Sequence, residues 1–223
     1  MIIMGIDVLQ EYILKLKDRD IRVALKSWIC STSPDNIIRD ELVIDGAIAD
    51  VVTIGDSLHG YEIKSDADTL VRLQSQSFYY GRVMDYCTVV VGSKHRDSVS
   101  RSIPEYWGIV EAYWSGDCVD FIEHRDPTCS TDRQVHIQCQ LLWKQEAISI
   151  CKSLGLSHTG NSIALKRRIW HNLQPDDAHN AVITALKIRD WEKVDIDRAL
   201  RREVSKSDRV RRKQISLSRV RSI

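Results

Sequence analysis

A mixed α/β core followed by a small all-α domain is the fold class that this sequence predicts, and three observations predict it. Two β-rich runs, Ile37–Ile44 and Ala47–Ile54, meet at Asp45-Gly46, a strong short-range hairpin signal. Tyr86–Gly92 is an unbroken apolar run placed after a helical stretch, as a central strand buried on both faces requires. From residue 141 onward helical spacing of apolar residues recurs, over 141–154 and again over 162–173.

Taken in order, residues 7–30 carry the helical positions Val8, Leu9, Tyr12, Ile13, Leu16, Ile21, Val23, Leu25 and Trp28, and Ser31-Thr32-Ser33-Pro34 ends them. The hairpin follows. With Asp45 and Gly46 as the central residues of a type I′ turn, Ile44 faces Ala47 and Glu41 faces Asp50. Turn residues 55–60 lead to Tyr61-Glu62-Ile63-Lys64, where Glu62 and Lys64 share a face. That face of the meander is flanked by Val43, Ile48 and Val52. A helix is expected over 68–82, then the strand Tyr86–Gly92, a loop, and two short strands over 107–113 and 119–122 joined by Ser115-Gly116-Asp117. Residues 1–128 form the core and 129–140, rich in turn residues, read as a linker. Helices over 141–154 and 162–173 flank a Gly-containing link, with Ser162 as the expected N-cap. Residues 175–223 read as a helical extension ending in a basic tail.

The hairpin register has a chemical consequence. Like charges directly opposite on an antiparallel ladder repel, so Glu41 and Asp50 call for a cation between them. Glu62 adds a third carboxylate, and three carboxylates suit Mg²⁺ or Mn²⁺ rather than Zn²⁺. Lys64 supplies a point charge able to polarise a water or steady a phosphoryl oxygen.

At these residues the sequence resembles the PD-(D/E)xK nuclease superfamily, with Asp50 as the motif Asp, Glu62 and Lys64 as E-x-K, and Ala49 where many members have Pro. The resemblance implies a restriction-endonuclease-like mixed sheet and Mg²⁺-dependent hydrolysis of DNA phosphodiesters. It implies metal held by Asp50, Glu62 and the Ile63 carbonyl, with Glu41 binding directly, through water or at a second ion. Gln76 and Tyr80 match positions where members place a Gln and a Tyr beside the site. Residues 141–174, with Leu154-Gly155-Leu156-Ser157 and Leu165, Ile169 and Leu173, resemble the SAP-type DNA-binding motif. That likeness implies phosphate contacts from Lys166, Arg167 and Arg168, although an ordinary helical hairpin packed on the core accounts for the pattern equally well.

Charge agrees with a polyanionic partner. Before Cys139 there are 14 Lys/Arg against 22 Asp/Glu, and from Cys139 onward 18 against 9, so an acidic half precedes a basic one. No apolar run approaches membrane-spanning length, and the apolar start lacks the basic residues and cleavage site of a signal peptide. Six cysteines without C-x-x-C spacing read as reduced thiols in a cytoplasmic protein. His124-Arg125-Asp126 lacks the other parts of a kinase site, and Cys129, His136 and Cys139 lack a fourth zinc ligand. His59 is expected as a solvated turn histidine, and Asp66 and Asp68 as helix caps. The function so implied is a DNA nuclease. The alternatives are a non-catalytic DNA-binding or regulatory protein on the same fold, and a nuclease for RNA or branched DNA. A homodimer stays open.

Overall fold

A computed structural model of the chain describes residues 15–199 and residue 203. Residues 7–14 of the expected N-terminal helix and the basic tail lie outside the described residues. Helix α1 (Asp18–Thr32) buries Ile21, Leu25 and Ile29, a stripe four residues apart, whereas Val23 is exposed. It stops at Ser33 because the residue before Pro34 is pushed out of helical conformation.

Six strands follow, β1 (Ile37–Ile44), β2 (Ala47–Ile54), β3 (Leu58–Lys64), β4 (Tyr86–Gly92), β5 (Gly108–Ser115) and β6 (Cys118–Arg125), and they lie in the sheet in chain order. The outer pairs β1–β2, β2–β3 and β5–β6 are antiparallel, and β3, β4 and β5 run parallel. Helix α2 (Leu73–Val83) makes the crossover from β3 to β4. The sheet is therefore mixed, with β4 at its centre and almost wholly buried, as its apolar run requires.

Leu16, Ile21, Leu25 and Ile29 form one core layer with Val51, Tyr61, Ile63, Val90, Val110 and Ala112 of the sheet. On α2, Tyr80 is fully buried and its ring centroid lies 5.5 Å from that of Trp107. Gly60 makes the approach of α2 possible, since a Cβ there would stand 2.9 Å from Tyr80 and Met84. Val52 is buried, but its expected companions Val43 and Ile48 are 65% and 55% exposed at the hairpin tip.

The hairpin keeps its expected register, Ile44 opposite Ala47, by a different turn. Type I′ needs positive φ at both central residues, yet only Gly46 has one, at 97°. A Cβ on Gly46 would also stand 2.8 Å from the Tyr79 ring, because Asp45 pairs with Arg82 at 2.9 Å and draws the tip onto α2. Gly46→Ala is expected to destabilise the protein by about 1–3 kcal/mol, read from urea denaturation, since it combines left-handed strain with overpacking.

Helix α2 begins at Leu73, five residues later than the spacing suggests. Asp66 and Asp68 are engaged before it starts: Asp68 accepts from the Ser65 amide at 2.8 Å and hydroxyl at 2.6 Å, and Asp66 accepts from the amides of Leu16 and Lys94. Neither is a helix cap. His59 is not a turn residue either. It sits on β3, bonded to the Thr88 hydroxyl at 2.8 Å, and burial lowers its pKa to about 3.

Helices α3 (Val135–Gln138), α4 (Lys144–Ser153), α5 (Ser162–Asn172) and α6 (Pro175–Ile188) follow the sheet. Chain packing separates a unit Met1–Lys187 from a unit Ile188–Ile223. Residues 129–140 pack closely within the first. The Ser130 hydroxyl donates to the Gly81 carbonyl at 2.7 Å, and Gln138 Nε2 donates to the Val83 carbonyl at 2.7 Å. In the second unit, residues 191–199 are helical and the Arg189 guanidinium lies 4.8 Å from the centre of the Trp191 ring. No helix among the described residues is long and apolar enough to cross a membrane.

Candidate functional site

The β2–β3 ladder runs only from Ile54–Leu58 to Val51–Tyr61. At the next position, where Asp50 and Glu62 would pair, a carboxylate takes over from backbone. Asp50 Oδ2 accepts the Ile63 amide at 2.9 Å, and the Asp50 amide donates to the Tyr80 hydroxyl at 2.9 Å. Ile63 thus meets Asp50 through its N–H. The Tyr80 hydroxyl in turn donates to Glu62 Oε2 at 2.7 Å, so one α2 side chain bridges the two acidic strands.

Glu62 is fully buried and Lys64 nearly so. Lys64 Nζ donates to Glu62 Oε1 and, at 3.0 Å, to Gln76 Oε1, while Gln76 Nε2 donates to the same Glu62 oxygen. The three side chains form a closed triangle. Burial raises the Glu62 pKa, with the Asp50 charge adding to it, and the bonds from Lys64 and Tyr80 oppose the rise. Burial, with Glu62 and Asp50 beside it, pushes the Tyr80 hydroxyl far upward, so it acts as a fixed neutral donor.

Sequence reasoning missed Arg22. From α1 its Nη1 donates to the Asp50 carbonyl at 2.6 Å and its Nη2 to Asp50 Oδ1 at 3.1 Å, while Asp18 holds it from the turn before. Its position one residue past the buried Ile21 was the available signal, since that places it at the edge of the helix stripe. Within the cluster Arg22 is shared between Asp50 and Asp18, and Lys64 stands on Glu62.

Glu41 keeps its expected station but not its expected role. Asp40 pairs with Val51 and Leu42 with Ala49, which sets Glu41 opposite Asp50. Its φ of 53° is left-handed, however, and interrupts the regular ladder there. Among the described residues no three His, Cys, Asp or Glu side chains converge as a metal ion would need. The structure thus brings together Asp50, Glu62, Lys64, Gln76 and Tyr80, and does not assemble Glu41 with them as a triple-carboxylate set.

In the helical half, α4 ends in a Schellman motif. Gly155 has φ 67°, the Leu156 amide reaches the Cys151 carbonyl at 2.8 Å, and the Gly155 amide reaches that of Lys152. The cap of α5 is Asn161, whose Oδ1 accepts the Ala164 amide at 2.8 Å, and not Ser162. Leu165 and Ile169 are buried. Of the three basic candidates, Lys166 donates to the Gln140 carbonyl and Arg168 to those of Ser157 and Thr159. Arg167 is exposed between them.

The model of the family described as Bacteriophage P4 protein cII matches residues 14–217. The chain belongs to the bacteriophage P4 cII protein family. A curated relative, Protein cII of Enterobacteria phage P4, is 29% identical over 120 residues, which are 52% of this chain and 46% of the relative. The chain thus spans about half the length of the curated relative it matches. No solved structure matches.

Membership of the cII family corrects the resemblance to the PD-(D/E)xK superfamily, and with it the expectation of a nuclease and hydrolase of that kind and the SAP-type likeness. The cII match spans 204 residues and takes in both the sheet and the helical half. The E-x-K likeness rests on a few residues, and charged pairs that settle each other in a core create the same spacing.

Proposed function

We propose that the protein is a non-catalytic regulatory protein of the phage cII type that binds DNA through the α4–link–α5 hairpin. The observation that carries this reading is the closure of the Asp50–Glu62 cluster. Each carboxylate already has a cation beside it, Arg22 on Asp50, shared with Asp18, and Lys64 on Glu62. A divalent ion would have to displace those partners before it could bind. The cluster accordingly serves as a polar joint between α1, α2 and the split strands.

Affinity for DNA is assigned to the basic half. Lys166 braces the backbone at Gln140, ahead of α4, Arg168 braces that of the link at Ser157 and Thr159, and Arg167 extends from the same turn of α5. An arginine so placed supplies a sequence-independent phosphate contact.

The test is binding of duplex DNA by fluorescence anisotropy over a salt series. Arg167→Glu is expected to weaken binding roughly tenfold and to flatten the logarithmic salt dependence by about one phosphate contact. Retained affinity in the variant would overturn the assignment. Incubation of the same DNA with Mg²⁺ or Mn²⁺ is expected to leave it intact. Metal-dependent cleavage that disappears in Asp50→Ala would overturn the non-catalytic reading.

A further inference from the structure

We propose that the imidazole of His171, seated on Trp170, is a stacking platform for an unpaired base of DNA, with Arg167 holding the adjoining phosphate. This rests on the DNA-binding reading above and extends it to the form of DNA that is recognised. The rings of Trp170 and His171 lie 3.7 Å apart between centroids with 26° between planes, so they form a true stack. Behind it, the His136 ring is 5.6 Å from Trp170 and tilted by 50°, which buttresses the indole. Trp170 is half-buried and His171 is exposed, so the open end of the stack is the imidazole.

The same stripe of α5 carries two further exposed side chains at helical spacing. Arg167 stands one turn before His171, and Ile163, which is 71% exposed, one turn before Arg167. An apolar side chain, a guanidinium and a planar ring in succession match the alternation of hydrophobic base and anionic phosphate along a strand. A paired base already has neighbours on both faces, so only an unstacked one can extend the Trp170–His171 pile. The indole beneath holds the imidazole flat before any ligand arrives, which lowers the ordering cost of binding.

The experiment measures anisotropy of one labelled oligonucleotide as a single strand, as its full duplex, and as the RNA of the same sequence. His171→Ala is expected to weaken single-stranded DNA binding roughly tenfold and to change duplex binding less than about twofold. His171→Phe is expected to restore single-strand binding, since it returns a ring without the imidazole nitrogens. Equal losses on both DNA forms, no loss on the single strand, or failure of Phe to restore binding would overturn the platform. An effect confined to RNA would overturn its assignment to DNA. Arg167→Glu separates the two readings. If it weakens both DNA forms while His171→Ala weakens neither, the stack alone fails, and if it weakens neither, the DNA-binding reading fails with it.

Discussion

Lys64→Ala is expected to cost about 3–5 kcal/mol of folding stability near pH 8, because it leaves Glu62 buried with its cation gone. Glu62 is wholly inaccessible, its Oε1 takes both Lys64 and Gln76, and Tyr80 serves the other oxygen. Without Lys64 the carboxylate can survive in the core only by taking up a proton. The sign of the pH dependence follows. A carboxyl whose folded pKa is raised contributes most stability below its unfolded value and loses it as pH rises through the folded one. Burial already raises Glu62, and removal of Lys64 deletes an opposing influence. The gap between variant and wild type should therefore shrink as pH is lowered from about 8 to about 5, approaching the range where carboxyls protonate. Urea denaturation of both proteins at the two pH values measures it. A constant gap would show that Lys64 matters through packing alone. The double variant Lys64→Met with Glu62→Gln should recover most of the loss, because it removes the charge along with its partner.

Asp85→Ala should be nearly as damaging, at about 3–5 kcal/mol, at a joint that no local spacing signals. Asp85 sits just before β4, is 3% exposed, and accepts from the Leu58 amide and from Arg133, each at 2.7 Å. His179 of α6 lies 3.7 Å from the same carboxylate and reaches Gln138 at 3.1 Å through its other nitrogen. One aspartate thus ties the start of β3 to segment 129–140 and to α6. Its loss should raise hydrogen exchange at the amides of Leu58, Ser130 and Ala178 beyond what global unfolding explains. Uniform acceleration across the chain would refute the joint. The same contact carries a pH sensitivity of opposite sign to that of Glu62. Burial lowers the His179 pKa, with Asp85 working against the shift, so the neutral ring is the folded form. Its stabilising contribution is complete above the unfolded value of about 6.5 and is lost as pH falls toward the lower folded value.

Local chemistry made part of this legible beforehand. Gly46 anchored the register of the hairpin even though the turn is not the expected type, because two-residue loops fix pairing whichever turn closes them. The apolar run Tyr86–Gly92 announced a doubly covered strand, and it is one of the two central strands. Gln76 and Tyr80, one helical turn apart, do converge on Glu62. His59 and Asp66 escaped the sequence reading because turn-like composition surrounds them, while their partners Thr88, Lys94 and Leu16 lie far away in the chain, and Asp68 closes a local turn on Ser65 instead of capping the helix.

What the sequence determined by itself was the placement of strands along the chain, the register of the first hairpin, the alternation that places Glu62 beside Lys64, and the opposition of Glu41 and Asp50. Those depend on periods of two and on short loops, which are local quantities. Which charges stand beside the acidic residues was decided only in three dimensions. Arg22 arrives from a helix 28 residues away to hold Asp50, and a left-handed φ at Glu41 breaks the ladder that would have brought it into the set. A carboxylate's chemistry depends on the charge that ends up beside it, and tertiary packing supplies that charge from parts of the chain that spacing does not relate.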